Sequence, residues 1–565
     1  MSEARVEIPA SGALPSAAVA HFDRAGIISF SAALVLIGAV MLGLFFSILK
    51  LNGGTFIYTA DDPYIALALS DQVRHGNYGI NSGQHASPCS AILPPLLLVA
   101  ASGTPLHPYL PLILNCLGLF ATLLIVWRFL LHLRLVEGTF GRVAESITVL
   151  LLAFCFNLVG VVFTGLEQSL HVAIIAACIY GLALFLDTGK MPAWLPAAIV
   201  VSPLMRYEGI CLSIAVLAVL ALRGRWRTAV GTFVVMALCL GAFSAFLVFL
   251  KLPPLPSSVL TKSAVAANGV GGAGARFIQA MASNALDIAL HRIGFLLLVI
   301  GVAAVVRCFR ELAANHWHWT SQGLMAFALA CMVGGHVAAG RIGGFDRYED
   351  YALLGAALMG IYLMQGTIRK ALANRSRRLI YFLAAAAALL LVCSHYVISN
   401  WKAPIAANNI YEQQFQMHRF VNDYYRGSVA VNDLGLISYH NPYFVLDLGG
   451  LASNEGRILF TTASSPDAYR ALVDKNGVHL VIIFDEWFVH KIPATWVKVA
   501  SMDQSRECVN CAEKEVQFYA TDANTADKLR PELESFKQSL PPRVKLTIYS
   551  PRADAVHQAT ISNSF

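Results

Sequence analysis

A chain of 565 residues that is 57% hydrophobic and only 13% charged, with a mean hydropathy of +0.60, is too apolar for a soluble globular protein, where about 25% of residues carry charge. Its formal net charge of +7 comes from Lys and Arg at the ends of apolar stretches rather than on one patch, which argues against nucleic-acid binding. The composition is that of a polytopic membrane protein, and near residue 400 the density of charged residues rises to that of an ordinary soluble domain.

Residues 1–26 are largely polar and Ala-rich and read as a cytoplasmic tail with no cleavable leader. The first apolar run, 27–50, is too long for a signal-peptide core and reads as a signal anchor. Further apolar stretches at 109–131, 144–163, 167–186, 192–205, 207–222, 229–250, 285–306, 322–339, 350–365 and 379–398 predict about eleven spans within a membrane domain over 27–399. With the N-terminus inside, the basic segments 128–142, Lys190, 223–227, 307–310 and 369–378 all fall on the cytoplasmic side, as the positive-inside rule requires. A single helix over 192–222, interrupted at Pro203, would invert every later loop. Two short spans turning at Arg206, Tyr207 and Glu208 keep the parity. The same topology puts the loop 52–107, the segment 252–284, the loop 341–349 and the whole of 400–565 outside a plasma (inner) membrane.

The scarce charged residues then gather at one level: Asp61, Asp62, Glu167, Arg206, Glu208, Lys262, Arg341 and Arg347. Ionisable groups beside spans are costly, by about 2.5–3.5 kcal/mol at a helix centre, and mark functional sites by default. Carboxylates beside cations suit a reaction in which a hydroxyl is deprotonated and a phosphate leaves. The loop 52–107 adds polar and aromatic neighbours, Tyr58, Tyr64, Arg74, His75 and His85. Each residue also has a structural role open to it. Asp62, followed by Pro63, suits a helix N-terminus, which leaves Asp61 the freer base. Glu167 suits a cap, and Arg206 and Glu208 suit a buried pair. Lys262 suits snorkelling, and Arg347 with Tyr348 suits interfacial anchoring. Asp61, Asp62, His75 and His85 offer oxygen and nitrogen ligands for a divalent metal, without the close spacing that would specify one.

Most of the eleven Cys lie in apolar runs, where a free thiol acts as a small hydrophobe. Cys508 and Cys511 lie in the external tail. Two ligands cannot close a zinc site, and a local disulfide is the expectation in an oxidising compartment. Walker, dinucleotide-binding and nucleophile-elbow motifs are absent. From 400 onward β-rich runs (VAVNDLGLISY, YFVLDLGG, HLVIIFDEW, EVQFYAT, VKLTIYS) alternate with helical patterns at 467–474 and 523–538, predicting an α/β domain. Asp433, Asp447 and Asp485 end or interrupt its strands.

The segment ADDPYIALALSDQVRHGNYGINSGQHASPCSAILPPLL resembles the first external loop of GT-C fold glycosyltransferases, most closely the terminal arabinofuranosyltransferase branch. TGLEQSL, RYEG, LPPLPSSVLTKS, FDRY and NDLGLISYHNPYFVLDLGGL are similar to later elements of that family, in the same order. Pro63, Tyr207 and the Ser257-Ser258 pair depart from its pattern. The resemblance implies transfer of a sugar from a polyprenyl-phosphate donor to a cell-envelope glycan, lipid or protein acceptor, by inverting displacement. Asp61 or Asp62 would be the general base, and Lys262 and Arg206 would lie near the donor phosphate. Glu167 and Glu208 would shape the sugar and acceptor sites, with Tyr64, His85 and Arg347 among the binding residues. A transporter or flippase of lipid-linked glycans, or a non-catalytic envelope scaffold, are the competing readings. Transporters commonly carry internal repeats with charges near the midplane, and this chain shows neither.

Overall fold

A computed structural model describes residues 24–271, 274–462 and 464–550. Most of the expected cytoplasmic tail, 1–26, and the end of the expected soluble domain therefore lie outside the described residues. Among the described residues eight helices are long and apolar enough to cross a membrane: Arg24–Leu51, His107–Leu133, Gly138–Cys155, Gln168–Thr188, Trp226–Phe249, Arg292–Ala314, Ser321–Ala339 and Asp350–Ala373. Two shorter apolar helices, Leu195–Met205 and Tyr207–Leu222, and a pair bent by 61°, Arg378–Val392 with Ser394–Tyr425, account for the rest. Each expected stretch is thus helical, but eight rather than eleven are single full-length spans. The shortfall has local causes. Pro203 lies inside the helix Leu195–Met205, and Arg206 leaves it with extended backbone (φ −155, ψ 137). The hydroxyl of Ser213 donates to the Ile199 carbonyl at 2.8 Å, tying the two short helices together. The chain is a polytopic helical membrane protein whose core joins Phe30, Leu119, Val149, Ile175, Val216, Leu324 and Leu354.

The C-terminal domain is built on a six-stranded sheet: β1 (Val429–Val431), β2 (Val445–Asp447), β3 (Leu480–Ile483), β4 (Val497–Gln504), β5 (Glu515–Ala520) and β6 (Val544–Ile548). The order is β2-β1-β3-β5-β4-β6, with β1 parallel to β2 and β3 and the other pairs antiparallel. Side chains alternate across this sheet as the pleat demands. Val429, Val431, Leu480 and Ile482 face one core, and Ala430, Val481 and Ile483 face another that includes Tyr469 and Leu472 of the helix Pro466–Lys475. Two features depart from the sequence reading. The strand β4 is additional to the expected runs, and the residues GLIS after β1 form a short helix, Gly435–Ser438, rather than strand.

The first of those cores is shared. Ile57, Tyr58, Tyr64, Ile65, Leu67 and Ala68 of the loop 52–107 lie in one apolar cluster with Phe420, Val429, Phe518 and Phe536 of the domain. Burying large side chains of this kind contributes about 1.5–3 kcal/mol each, so loop and domain are one packing unit. At its edge the Asp61 carboxylate accepts the backbone N–H groups of Gly435 (2.6 Å) and Leu436 (2.7 Å). A Cβ on Gly435 would collide with the Asp61 carbonyl and carboxylate. Gly435→Ala is therefore expected to cost roughly 1–3 kcal/mol, read as a lower thermal midpoint in detergent. Gly38→Ala, whose Cβ meets nothing within 4 Å, should not lower it.

Candidate functional site

The helix Asp62–Arg74 starts at the acidic pair, and the two carboxylates part company there. Asp61 occupies the cap position, with no side-chain cap bond. Its side chain turns to the domain and is 8% exposed. Burial and the neighbouring Asp433, itself held by the Gln414 amide at 2.8 Å, push the Asp61 carboxyl well above the usual carboxylate range. Asp62 does not cap the helix, contrary to the role its following proline suggests. Its Oδ2 meets the Arg347 guanidinium at 2.8 Å and Lys262 Nζ at 3.4 Å. Burial works against its charge, but Lys262 and then Arg347 outweigh burial and hold its pKa at about 2. Of the pair, Asp62 is the ionised and partly accessible carboxylate, with 26% of its side chain exposed.

The helix Ser257–Lys262 and the loop 340–349 bring in the cations. Arg347 also donates to the Tyr348 hydroxyl at 3.1 Å. The Tyr348 ring lies 5.0 Å from the Arg347 guanidinium carbon, 5.5 Å from that of Arg341 and 5.9 Å from that of Arg206. Arg206 in turn pairs with Glu167 and, at 2.6 Å, with Glu208. The structural alternative for Arg206 and Glu208 is thus partly met: they do bond each other, but within a triad that includes Glu167. Glu167 sits at the cap position of the helix Gln168–Thr188 without a side-chain cap bond. Through Tyr348 the Glu167–Arg206–Glu208 triad and the Asp62–Lys262–Arg347 triad form one polar patch. The cations Arg206, Lys262, Arg341 and Arg347 outnumber the carboxylates Asp62, Glu167 and Glu208, a positive balance suited to an anion.

Other residues named from the sequence are dispersed. The Tyr64 hydroxyl accepts the Tyr58 N–H at 3.3 Å, and its ring borders an apolar cavity of about 210 Å³ with Phe56, Tyr109, Phe415 and Tyr439. His85 is exposed and borders a different, more polar cavity of about 310 Å³ with Ser257, Asn454, Glu455 and Lys475. The metal-ligand set considered above does not assemble: His75 Nδ1 bonds its own helix at the Asp71 carbonyl, and His85 is elsewhere. Among the described residues the one group of such ligands that converges is Asp71, His107 and His440. Cys508 and Cys511 are joined in a disulfide, with Cα atoms 5.5 Å apart. Asp447 accepts the backbone N–H groups of Gly449, Gly450 and Ala452. Asp485 pairs with Lys498 at 3.0 Å. Asp447 therefore shapes a turn of the domain, and Asp485 ties the end of β3 to β4 and β5.

The comparisons with known proteins are sparse. Residues 408–519 match a family model described as a domain of unknown function, DUF8728. No curated protein matches the chain. Among solved structures, the chain is similar to the oligosaccharyltransferase of Archaeoglobus fulgidus in complex with Zn and sulfate, at a TM-score of 0.44 and 13% identity, over 90% of this chain and 74% of that one. It is similar to the apo form of that protein at 0.41 and 12%, over 86% and 74%. The archaeal oligosaccharyltransferase AglB from the same organism, with an inhibitory peptide and a dolichol-phosphate, gives 0.41 and 13%, over 86% and 74%.

Sequence reasoning missed the parts played by Tyr348 and Asp433. Tyr348 could have been found from its place between Arg347 and two acidic residues, a density of charge rare in this chain; Asp433 carried no local signal for its partner. Arg347 above all, then Lys262, lowers the Tyr348 phenol to about 8 despite burial. Because the folded value lies below the unfolded one of about 10, the phenolate is favoured by the fold and its contribution grows as pH rises through about 8. A tyrosinate absorbance titration of wild type minus Tyr348→Phe should show one group with its midpoint near 8. The same difference taken in an Arg347→Met background should move the midpoint upward.

Proposed function

We propose that this protein is an integral membrane glycosyltransferase of the GT-C type. It moves a sugar from a polyprenyl-phosphate donor to a hydroxyl of a cell-envelope glycan, lipid or protein on the outer face of the plasma membrane. The observation that carries this reading is the Asp62 carboxylate shared between Lys262 and Arg347 at the end of an apolar helix bundle. It is supported by the ordered series of sequence elements that resemble that family. In this reading Asp62 is the base. The acceptor hydroxyl gives its proton to the Asp62 carboxylate, and its oxygen attacks the anomeric carbon. The bond from that carbon to the phosphate oxygen breaks with its electron pair, and the configuration inverts. Lys262 and Arg347 neutralise the departing polyprenyl phosphate, with Arg341 close by over the Tyr348 ring. Preorganised cations of this kind act where charge develops and need no reorganisation during the step.

A carboxylate with a pKa of about 2 is a weak base, and the same geometry supplies the remedy. A donor phosphate draws on the cations that depress Asp62, so donor binding raises the basicity of the carboxylate at the moment it is needed. Asp61, saturated by backbone amides, is a positioning residue that holds the start of the helix against the domain. Glu167 and Glu208 fix the Arg206 guanidinium beside the patch.

Asp62→Asn is expected to lower kcat for sugar transfer by at least about 100-fold, the contribution of a general base, with expression and membrane insertion unchanged. Full activity of Asp62→Asn would remove it from the reaction. Lys262→Ala should chiefly raise the donor KM, by about tenfold or about 1.4 kcal/mol. The assay is release of polyprenyl phosphate by protein purified in detergent. A transporter would need an intact membrane and would give no such product.

A further inference from the structure

Two and a half turns along the helix from Asp62, roughly 14 Å at 1.5 Å per residue, Asp71 meets two histidines from distant parts of the chain. We propose that Asp71, His107 and His440 form a site for a divalent cation of the zinc class, which clasps the C-terminal domain to the loop 52–107. The ligand atoms all lie within 4.8 Å of one another. His107 Nδ1 is 3.3 Å from Asp71 Oδ1, and His440 Nε2 is 3.5 Å from Asp71 Oδ2. A tetrahedral ion with bonds of about 2.0–2.1 Å has ligand-to-ligand edges of about 3.3–3.4 Å. Two edges of the polyhedron therefore already stand close to their bound length.

The surrounding groups aim these atoms. The Ser70 hydroxyl donates its only proton to the Leu67 carbonyl at 2.8 Å. Towards His107 Nε2, also at 2.8 Å, it is therefore an acceptor, which places the imidazole proton on Nε2. The Nδ1 lone pair then faces the Asp71 carboxylate at 3.3 Å. Two acceptors facing each other at that distance favour a cation between them. The Tyr439 hydroxyl, 3.2 Å from Nδ1, is the competing donor. Asp71 is oriented in turn by the Ser102 hydroxyl at 2.5 Å, whose backbone carbonyl is held by Arg74. Such outer partners are the usual means of fixing a ligand's tautomer and direction.

His440 has a left-handed backbone, φ +51, a conformation uncommon for residues other than glycine but one in which histidine, like asparagine and aspartate, is enriched. Its ring stacks on Tyr439 with centroids 3.9 Å apart. This backbone brings a ring nitrogen to the Asp71 carboxylate, at 3.5 Å. With 61% of the His440 side chain and 22% of the Asp71 side chain exposed, the fourth position opens to solvent. Two imidazoles, one carboxylate and an open position form a donor set suited to zinc rather than to calcium or magnesium, which take oxygen ligands. The three ligands come from the helix Asp62–Arg74, the turn His107–Tyr109 that opens the span His107–Leu133 and the turn after the helix Gly435–Ser438, so one ion would cross-link three segments.

The test uses the full chain purified in detergent, stripped with a chelator and titrated with Zn²⁺ by calorimetry and with Co²⁺ by visible absorption. One equivalent should bind, with the intense visible bands of tetrahedral Co²⁺, and Zn²⁺ should raise the thermal midpoint. His440→Asn, which tolerates the left-handed backbone, and Asp71→Asn should each weaken binding at least tenfold and abolish the thermal shift. Ser70→Ala, which frees the His107 tautomer without touching a ligand, should weaken it about tenfold. Absence of saturable binding in the wild type, or equal affinity in wild type and both ligand variants, would overturn the proposal.

Discussion

The junction between Asp61 and the backbone amides of Gly435 and Leu436 decides where everything else at this end of the molecule can stand. Asp61 and Gly435 are 374 positions apart in the chain, and their contact is buried. A hydrogen bond to a carboxyl group contributes about 1.5–3 kcal/mol when charged and less when neutral. Its greater effect is geometric. It sets the first turn of the helix Asp62–Arg74 against the domain, which leaves Asp62 facing the cations of the short helix Ser257–Lys262 and the loop 340–349. The shared apolar core on the other side of that helix makes the arrangement rigid, because close-packed interiors shift as units rather than by degrees.

The polar patch follows from the same scarcity of charge. In a chain so poor in ionisable residues, every buried charge needs a partner, and the partners here are distributed among several segments: the helix start at Asp62, the cap at Glu167, the turn at Arg206, the short helix ending at Lys262 and the loop at Arg347. None of these pairs is local except Arg206 with Glu208. Removing one member leaves another uncompensated, so the two triads behave as one network through the Tyr348 ring.

Much of this is legible in the sequence. Hydrophobic run length finds the helical stretches of the bundle, and charge placement brings Glu167, Arg206, Glu208, Lys262 and Arg347 to one level, where the structure links them through hydrogen bonds and ring contacts. What stays hidden is non-local. The local rule that an acidic residue before proline starts a helix gives the cap to Asp62, whereas Asp61 occupies the cap position and Asp62 bonds Lys262 and Arg347. The fold instead gives Asp61 a partner in the distant domain, a preference no window of neighbours contains. The strand β4, VKVASMDQ, carries the alternation of Val497 and Val499, but its polar second half blurs the period-two signal. GLIS reads as strand by composition, whereas its position after β1, where Asp61 receives its amides, makes it a helical turn. The two short spans expected on either side of Arg206 are present as the helices Leu195–Met205 and Tyr207–Leu222, and run length overcounts full-length spans because it registers neither their shortness nor the bend near Cys393.

That bend has a mechanical meaning. Beyond it, the helix Ser394–Tyr425 leads from the membrane bundle directly towards β1 at Val429, so the domain is mounted on a rod rather than tethered by a linker. The loop 52–107 is its second attachment, through the shared core. A body held at two such points cannot swing freely. Load applied to the domain would be carried along the rod to the joint at Cys393 and through the loop to the helix that begins with Asp62. Pulling on one face of the domain would therefore be felt as torque at the polar patch.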